Sequence, residues 1–278
     1  PPAQVSALIN MGAPSDTAMT ATLMDLIDRG AIAIQREYAE KSQLLGLVKS
    51  DVETYRLTLV PERMSALSRS EQKLVSFLFY TMAQAESFTM EELKKINESK
   101  TRADEWLAGV AEYEKLVTEE VEARGFFEQK GGKAVGGFMA LGFLVMASGL
   151  APLIFTGTCW FLPWTGIIGL VIAILGGSMK RRTPAAAELA AKYAAVQNYL
   201  EDFGRLQEKP PTSVVLWRHF LTLAVVFGIA EQVMRDLKIV APEILTDPMM
   251  GTWMWMSTPS SGGLSPMSSL SSGMVSVA

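Results

Sequence analysis

The sequence predicts a mainly α-helical protein with short β wings: tandem winged-helix-like modules, a two-helix transmembrane hairpin, and then a helical C-terminal region. Three observations predict this fold class. Residues 134–179 are 46 consecutive positions without Asp, Glu, Lys, Arg or His. Residues 1–62 and 68–130 mix helical patterns with short extended ones, and residues 183–246 carry apolar residues at helical spacing. The remaining part, 247–278, is a Ser/Gly/Met-rich tail that we expect to be disordered.

The first module begins with two predicted helices. The first covers Ala3–Met11, and the second is capped by Asp16 or Thr17 and runs to Arg29. Gly30 follows at the position where a helix end favours a residue with positive φ. The sequence therefore predicts a helix pair that ends sharply at this glycine.

Two strands and a long loop complete the first module. Residues 31–35 and 55–59 alternate as strands do, and the polar residues 36–54 between them form a predicted loop. Helix, helix, strand, loop and strand is the order of a winged helix. The helix that would enter a major groove carries Asp25 and Asp28, which argues against DNA binding.

The second module is predicted from its helix starts. Ser68 or Ser70 caps a helix over the next fifteen or so residues, and Thr89 opens a Thr-x-x-Glu capping box. A long helix then spans Ala103–Arg124, with large apolar residues every three to four positions. Gly125 follows this helix as Gly30 follows the earlier one, and this echo predicts two related modules in tandem.

The uncharged stretch is long enough for two membrane-crossing helices, since one needs about 20 apolar residues. We predict them at Val135–Phe155 and Phe161–Met179. Basic residues lie on both sides, which places both ends in the cytoplasm; they are Lys130, Lys133, Lys180, Arg181 and Arg182. The alternative is a buried hairpin in the core of a soluble protein.

After the uncharged stretch, Thr183-Pro184 predicts a helix start, because a hydroxyl cap precedes a proline at the first helical position. Val214–Met234 is strongly apolar but contains Arg218 and His219, so we interpret it as a buried or membrane-surface helix. A third membrane span is the alternative. Residues 249–256, rich in Trp and Met, are either a partner-binding or membrane-dipping segment or a loose tail.

No pattern in the sequence is typical of a catalytic site. The chain has one cysteine, Cys159, and one histidine, His219, with no metal-ligand spacing, no Gly-rich phosphate loop and no nucleophile–base spacing. We therefore predict no catalytic, cofactor-binding or metal-binding residue, no cofactor and no small-molecule substrate. Residues 1–133 carry 16 basic and 21 acidic side chains, a balance that argues against nucleic acid as a partner.

The order of these pieces resembles the YciQ-like predicted membrane proteins, a bacterial domain of unknown function. The resemblance covers most of residues 1–245 and is carried by short motifs, which are Pro1-Pro2, the stretch from Thr20 to Gly30, Tyr55 to Leu59, Arg182-Thr183-Pro184, Tyr199 to Asp202, and Ala224 to Gly228. It implies a multi-pass protein of the bacterial plasma membrane. It also implies a signal peptide, an extracytoplasmic domain and a further span before Pro1. The family's tail is Gly-rich, whereas this one is Ser/Gly/Met-rich.

The leading functional hypothesis is a non-enzymatic integral membrane protein. Its cytosolic helical modules mediate protein–protein interaction or assembly at the membrane, with the lipid bilayer and a protein partner, or a second copy, as partners. One alternative is a membrane-tethered winged-helix regulator that binds nucleic acid or a signal. Another is an accessory subunit of an envelope or transport complex.

Overall fold

A computed structural model of the chain describes residues 1–43, 48–89, 92–93, 100–128, 131–148, 167–171, 181–204, 211 and 213–257. The chain divides into two compact units. Unit 1 contains residues 1–120 and 190–278, and unit 2 contains residues 121–189. This division does not test the five-part domain scheme, which stays a prediction.

The helices and strands of the described residues have the following bounds. The helices are α1 (Pro2–Ile9), α2 (Ala18–Asp28), α3 (Arg69–Val75, continued as a π-helix over Ser76–Ala83), α4 (Lys100–Ala123), α5 (Gly131–Ser148), α6 (Pro184–Asp202), α7 (Val214–Phe227), α8 (Ala230–Val240) and α9 (Pro248–Ser257). The strands are β1 (Ile32–Gln43), β2 (Val48–Leu59) and β3 (Ser87–Thr89), and 3₁₀ turns cover Pro61–Ala66 and Pro242–Thr246.

The three strands form one antiparallel sheet in the order β1–β2–β3. β1 and β2 have 12 residues each, paired from Ile32 opposite Leu59 to Gln43 opposite Val48. The prediction of two short strands joined by a polar loop over 36–54 is therefore wrong, because most of these residues belong to the two strands. The polar residues of the predicted loop extend both strands. The two strands of a hairpin pair through backbone hydrogen bonds, and this pairing does not require an apolar face.

The tandem winged-helix-like modules are also corrected. β3, which falls in the predicted second module, pairs with β2 through Leu57 opposite Phe88. The two sequence stretches thus share one sheet instead of forming two separate ones. The side chains agree with this arrangement, since the Phe79 and Phe88 rings pack edge to face with centroids 4.9 Å apart.

The predicted echo between the two glycines is confirmed at the level of the helix ends. Gly30 and Gly125 have φ of +71° and +69°. In each case the next amide reaches back across the last helical turn, from Ala31 to the Leu26 carbonyl at 2.9 Å and from Phe126 to the Val121 carbonyl at 3.4 Å. This is the hydrogen-bond pattern of a helix closed by a left-handed residue.

The core of unit 1 is built around α2, which packs against α1 and α7. Its buried side chains include Leu23, Met24, Leu26 and Ile27, and those of α7 include Trp217, Leu221, Ala224 and Val225. Trp106, Tyr113 and Val117 of α4 are also buried, as their spacing predicted. The helix predicted over Val214–Met234 is interrupted at Gly228, where φ is +74° and α7 ends.

The chain remains ordered beyond the expected start of the disordered tail. α9 follows Asp247, and its side chains at Met250, Trp253 and Met256 are buried. The sequence suggested a loose tail because the segment contains no charged residue and runs into a Ser/Gly/Met-rich stretch that cannot build a core. Burial of its large side chains explains the helix instead.

Unit 2 contains α5, and residues 126–128 pair with residues 181–183. The Glu128 amide donates to the Arg181 carbonyl at 3.0 Å, and the Thr183 amide donates to the Phe126 carbonyl at 3.0 Å. α6 begins at Pro184, as predicted, while the Thr183 hydroxyl donates to the Gly125 carbonyl at 3.1 Å. Large apolar side chains of this unit are exposed, including Met139, Leu141, Phe143, Leu144, Ile167, Ile168, Leu170 and Val171.

The predicted transmembrane hairpin at 134–179 is corrected. Across the described stretches of the chain, we find no helix with both the length and the apolarity needed to span a bilayer. α5 has 18 residues, and these include Lys133 and five glycines, which lower its apolarity. The predicted outer turn with Cys159 lies outside the described residues. The alternative of a third membrane span at Val214–Met234 is not supported either, because no described helix in this range could cross a bilayer.

Candidate functional site

The first polar cluster of unit 1 lies at the C-terminal end of α2. Arg29 Nε is 2.9 Å from Asp25 Oδ2, and its Nη2 atom binds Glu71 Oε1. The Glu71 carboxylate is almost fully buried, with its second oxygen accepting from the Ser68 amide at 2.7 Å. Burial raises the pKa of Asp25, with the Arg29 charge acting in the opposite direction. The three charges thus satisfy one another inside the unit.

Glu71 also belongs to a capping box at the start of α3. Ser68 Oγ accepts from the Glu71 amide at 3.3 Å while the Glu71 side chain accepts from the Ser68 amide. The helix start predicted at Ser68 is confirmed. The predicted box at Thr89 is confirmed as well, since the Thr89 amide donates to Glu92 Oε2 at 2.8 Å and the Glu92 amide donates to Thr89 Oγ1 at 3.3 Å.

A second polar cluster joins α1, α3 and α4. Glu120 accepts from Gln4 Nε2 at 2.7 Å, from the Ser70 amide at 2.8 Å and from the Ser70 hydroxyl at 2.8 Å. Nearby, the Tyr113 hydroxyl is 2.9 Å from the Thr22 hydroxyl, and burial raises the pKa of Tyr113 above its ordinary value. These groups fix the helices to one another, because each is engaged by neighbours within the unit.

The third cluster lies between α2, α7 and α9. Arg218 Nη1 is 2.8 Å from Asp28 Oδ1, a close ion pair whose atoms are not aligned as a hydrogen bond. The Arg218 guanidinium also lies over the Trp253 ring, with Cζ 5.8 Å from the centroid. Among the described residues, Arg218 Nε and Trp253 Nε1 are buried without a hydrogen-bond acceptor. This cluster therefore differs from the other two in having unsatisfied donors.

Of the residues weighed in the sequence for chemistry, the structure describes His219 and the acidic residues of α2. His219 is exposed on α7, and Cys159 is outside the described residues. Over the stretches that the structure describes, no group of three His, Cys, Asp or Glu side chains could hold a metal ion. Asp25 and Asp28, which would face DNA in a recognition helix, instead bind Arg29 and Arg218 of the same unit.

The edge of the sheet is a further candidate site, and the sequence did not predict it. β1 lies at one edge of the sheet and β3 at the other, and β1 is the longer of the two edge strands. The Val60 amide donates to the Ala31 carbonyl at 3.1 Å. This hydrogen bond fixes the phase of the β1–β2 pairing, that is, which residues of β1 form hydrogen bonds with β2. In that phase, Ala33 and Gln35 point their backbone groups toward β2, while Ile32 and Ile34 point theirs away. The signal that the sequence offered was the strand at 31–35, but it gave neither the length nor the order of the strands.

Comparison with known proteins identifies one family. A family model described as the predicted membrane protein (DUF2207) C-terminal domain matches residues 1–237. Searches of curated proteins and of solved structures each found no match. The family match confirms, at the level of the domain, the resemblance drawn from the short motifs. Because it covers most of the 278 residues, the chain belongs to this family, the C-terminal domain of predicted membrane proteins of unknown function.

Proposed function

We propose that the chain is a non-enzymatic, membrane-associated protein whose unit 1 binds a partner protein by adding an extended segment of that partner to β1. The observation that carries this proposal is the position of a 12-residue strand at the edge of the sheet. An edge strand presents a row of backbone donors and acceptors, and extended peptides bind such edges by main-chain hydrogen bonds.

The composition of β1 favours selective pairing. The strand carries four charged residues, two of each sign, along a sequence that is otherwise suited to a sheet. Charged residues on an edge oppose indiscriminate sheet-to-sheet association, whereas a partner with matching charges pairs readily. Strand addition at β1 is therefore a specific interaction in this proposal.

The polar clusters support a binding role over a catalytic one. Glu71, Glu120 and Tyr113 are each engaged by neighbouring side chains or amides within unit 1. A general acid or base must instead reach a substrate. The buried polar groups thus serve to hold the helices together.

The proposed association with the membrane rests on unit 2. Its exposed side chains Phe143 and Leu144 favour an apolar surrounding. Lys133, Arg181 and Arg182 flank the uncharged stretch and suit the anionic cytoplasmic leaflet, so we assign unit 1 to the cytoplasmic side.

Site-directed photo-cross-linking in cells tests the strand addition. A photoreactive residue at the exposed position Gln35 reports a partner beside β1 in the full-length protein. Ile34→Pro removes an outward-pointing amide but keeps the hydrogen bonds to β2, and Ile34→Ala is the matched control. We expect a discrete cross-linked species with the alanine variant and at least a tenfold loss with the proline variant. An equal yield in both, with equal stability of the two variants in urea, would disprove strand addition at β1.

A further inference from the structure

The β1–β2 hairpin extends beyond the strand that supports it. β3 pairs with β2 around Leu57, whereas β1 and β2 pair as far as Gln43 opposite Val48. Among the described elements, residues 38–43 and 48–53 thus form a two-stranded arm outside the three-stranded part of the sheet. Two strands alone are marginally stable in water, and a further strand stabilises them. A strand added to β1 therefore stabilises the arm as well as the bound segment.

β1 offers the longer open edge of this hairpin. All 12 of its residues lie at the edge of the described sheet, while β3 covers part of β2. A contact that joins β1 of one copy to β2 of another leaves an open edge at each end, so such an assembly does not close. Two copies of β1 related by a two-fold axis form a closed pair. Symmetric pairing of β1 with itself therefore gives a dimer and not a filament.

The backbone phase of β1 limits how two copies can pair. Ile34 points its backbone groups away from β2, and the alternation along a strand gives positions 36, 38, 40 and 42 the same direction. In an antiparallel pair, residues whose backbone groups point toward the partner strand lie directly opposite one another. The two-fold axis must therefore pass through a residue position and not between two positions.

The charges of β1 distinguish the permitted axes. An axis at position 36, 37, 40 or 41 sets a charged residue opposite its own copy, and like charges at facing positions destabilise a strand pair. An axis at Tyr38 instead sets Arg36 opposite Glu40 on each side of the axis. Opposite charges at facing positions stabilise the pair, so β1 is complementary to itself in this register.

One other axis also brings opposite charges together. It passes through Ala39 and sets Glu37 opposite Lys41. That register pairs residues 35–43 of each copy, whereas the axis one position earlier pairs residues 33–43. Each further pair of facing residues adds contacts between the strands, so the longer register is favoured.

Arg36 makes the contact with Glu40 of a second copy in addition to its contacts within unit 1. Its side chain is exposed, and the guanidinium lies over the Tyr55 ring, with Cζ 5.9 Å from the centroid. A guanidinium carries five N–H donors, so one more acceptor does not displace the groups that Arg36 already contacts. The pairing therefore leaves the fold of each copy unchanged.

We propose that the extended segment bound at β1 is β1 of a second copy of this chain, paired antiparallel about a two-fold axis at Tyr38. The inference rests on the strand addition of the proposed function and names its partner. The two hairpins then form a continuous sheet in the order β2–β1–β1–β2, which joins unit 1 of one copy to unit 1 of the other.

Disulfide trapping of the full-length protein in its native membranes, with copper phenanthroline as the oxidant, tests the register. Position 35 lies opposite position 41 of the second copy, in a non-hydrogen-bonded pair whose Cα atoms are close enough for a disulfide. Within one strand the two positions are about 20 Å apart, so the bond forms only between copies.

The cysteine pairs are placed in a Cys159→Ser background, which removes the native thiol. Gln35→Cys with Lys41→Cys should give a trapped dimer. Gln35→Cys with Gln43→Cys is the matched control, because these positions face each other only when the axis lies at position 39. We expect the first pair to give at least about fivefold more dimer than the control, since a two-residue offset separates the Cα atoms beyond disulfide reach.

Charge reversal tests the complementarity on the same trapped dimer. Arg36→Glu sets two carboxylates opposite each other on both sides of the axis, and Glu40→Arg does the same with two guanidinium groups. Each single variant should lower the dimer yield roughly tenfold, because two favourable pairs become two unfavourable ones. The double variant Arg36→Glu/Glu40→Arg restores opposite charges and should recover the yield. Loss of the Arg36 contact with Tyr55 alone would not be rescued in this way.

Three results would overturn the proposal. Equal trapping by the two cysteine pairs would show random collision, and failure of the double variant to recover the dimer would exclude the Arg36–Glu40 contact. The third is a photo-cross-link from Gln35 to a protein of different mass without any trapped dimer; strand addition at β1 would then stand, with another partner. If cross-linking from Gln35 were also insensitive to Ile34→Pro, strand addition itself would fail.

Discussion

The two units differ in the exposure of the same types of apolar side chain. Phe79 in unit 1 has an exposed fraction of 0%, whereas Phe143 in unit 2 has 60%; for Leu26 and Leu144 the values are 0% and 67%. Helices of unit 1 such as α3 and α8 carry charged residues among the apolar ones, so each of them has one face to bury. Unit 2 contains a long uncharged stretch with no polar face to turn toward water. Apolarity alone therefore does not predict burial in this chain, and the exposed apolar surface of unit 2 fits its membership of a membrane-protein family.

The largest expected effect is on the free energy of unfolding, when one phenylalanine is replaced by alanine in each unit. Phe79→Ala should lower the free energy of unfolding by about 3–5 kcal/mol, because it removes a fully buried ring that packs against Phe88. Phe143→Ala should change it by less than about 0.5 kcal/mol, because that ring is mostly exposed. Urea unfolding in detergent, followed by tryptophan fluorescence, measures both values.

Phe143→Ala should instead weaken the binding of the protein to lipid vesicles. Loss of an apolar side chain from a lipid contact corresponds to about 1.5 kcal/mol, or roughly a tenfold lower partition coefficient. Phe79→Ala should leave partition unchanged under conditions where the protein stays folded. If the two variants changed stability equally, or if Phe143→Ala left partition unaltered, the contrast between the units would be wrong.

A smaller effect separates internal from surface charge pairs. Arg29→Met leaves Glu71, with 2% of its side chain exposed, without its cation, and should lower the free energy of unfolding by about 2–3 kcal/mol. Lys115→Met breaks a pair with Glu119 in which both side chains are largely exposed, and should cost less than about 0.5 kcal/mol. Denaturant titrations of the two variants at low and high salt would test this. Equal losses would mean that the Glu71 cluster contributes no more than a surface contact.

The smallest effect is a pH dependence in unit 1. Burial raises the pKa of Tyr113, so its phenol stays protonated in the folded protein while that of the unfolded chain ionises near pH 10. The folded state then holds a proton that the unfolded state releases, and stability should fall as pH rises above about 10.

Tyr113→Phe should reduce this fall and cost about 0.5–1.5 kcal/mol at neutral pH, because Thr22 loses one hydrogen-bond partner but keeps its bond to the Ala18 carbonyl. Tyr80→Phe, at an exposed tyrosine, is the control and should alter neither quantity. Thermal unfolding between pH 7 and 11 gives the comparison. An unchanged alkaline slope in Tyr113→Phe would contradict a buried, neutral phenol.

The sequence predicted what neighbouring residues determine. Gly30, the capping box at Thr89 and the start of α6 at Pro184 were all found in place, because each depends on hydrogen bonds or steric limits within a few residues. The position of the long helix was also predicted closely, from the spacing of Trp106, Tyr113 and Val117. The same reasoning placed the family correctly from short motifs.

The long hairpin and the pairing of β3 with β2 were missed for a physical reason. Strand pairing depends on the partner strand more than on the intrinsic preference of either strand, and polar residues pair as well as apolar ones at the end of a hairpin. The candidate sites were missed for a related reason. The ion pair between Asp28 and Arg218 and the edge position of β1 join or order residues that no local pattern connects.

Unit 1 is formed by two separate parts of the chain, and this has a consequence for synthesis on the ribosome. α2 ends at Asp28, and α7, which covers it, begins at Val214, so 185 residues separate the two. At about 5–20 residues per second, translation takes roughly 10–40 seconds to pass between them. For that time the face of α2 that packs on α7 lacks its native cover, although α1 has already been made. We therefore expect the nascent chain to expose the apolar side chains of this face, and to be prone to aggregation, until α7 emerges.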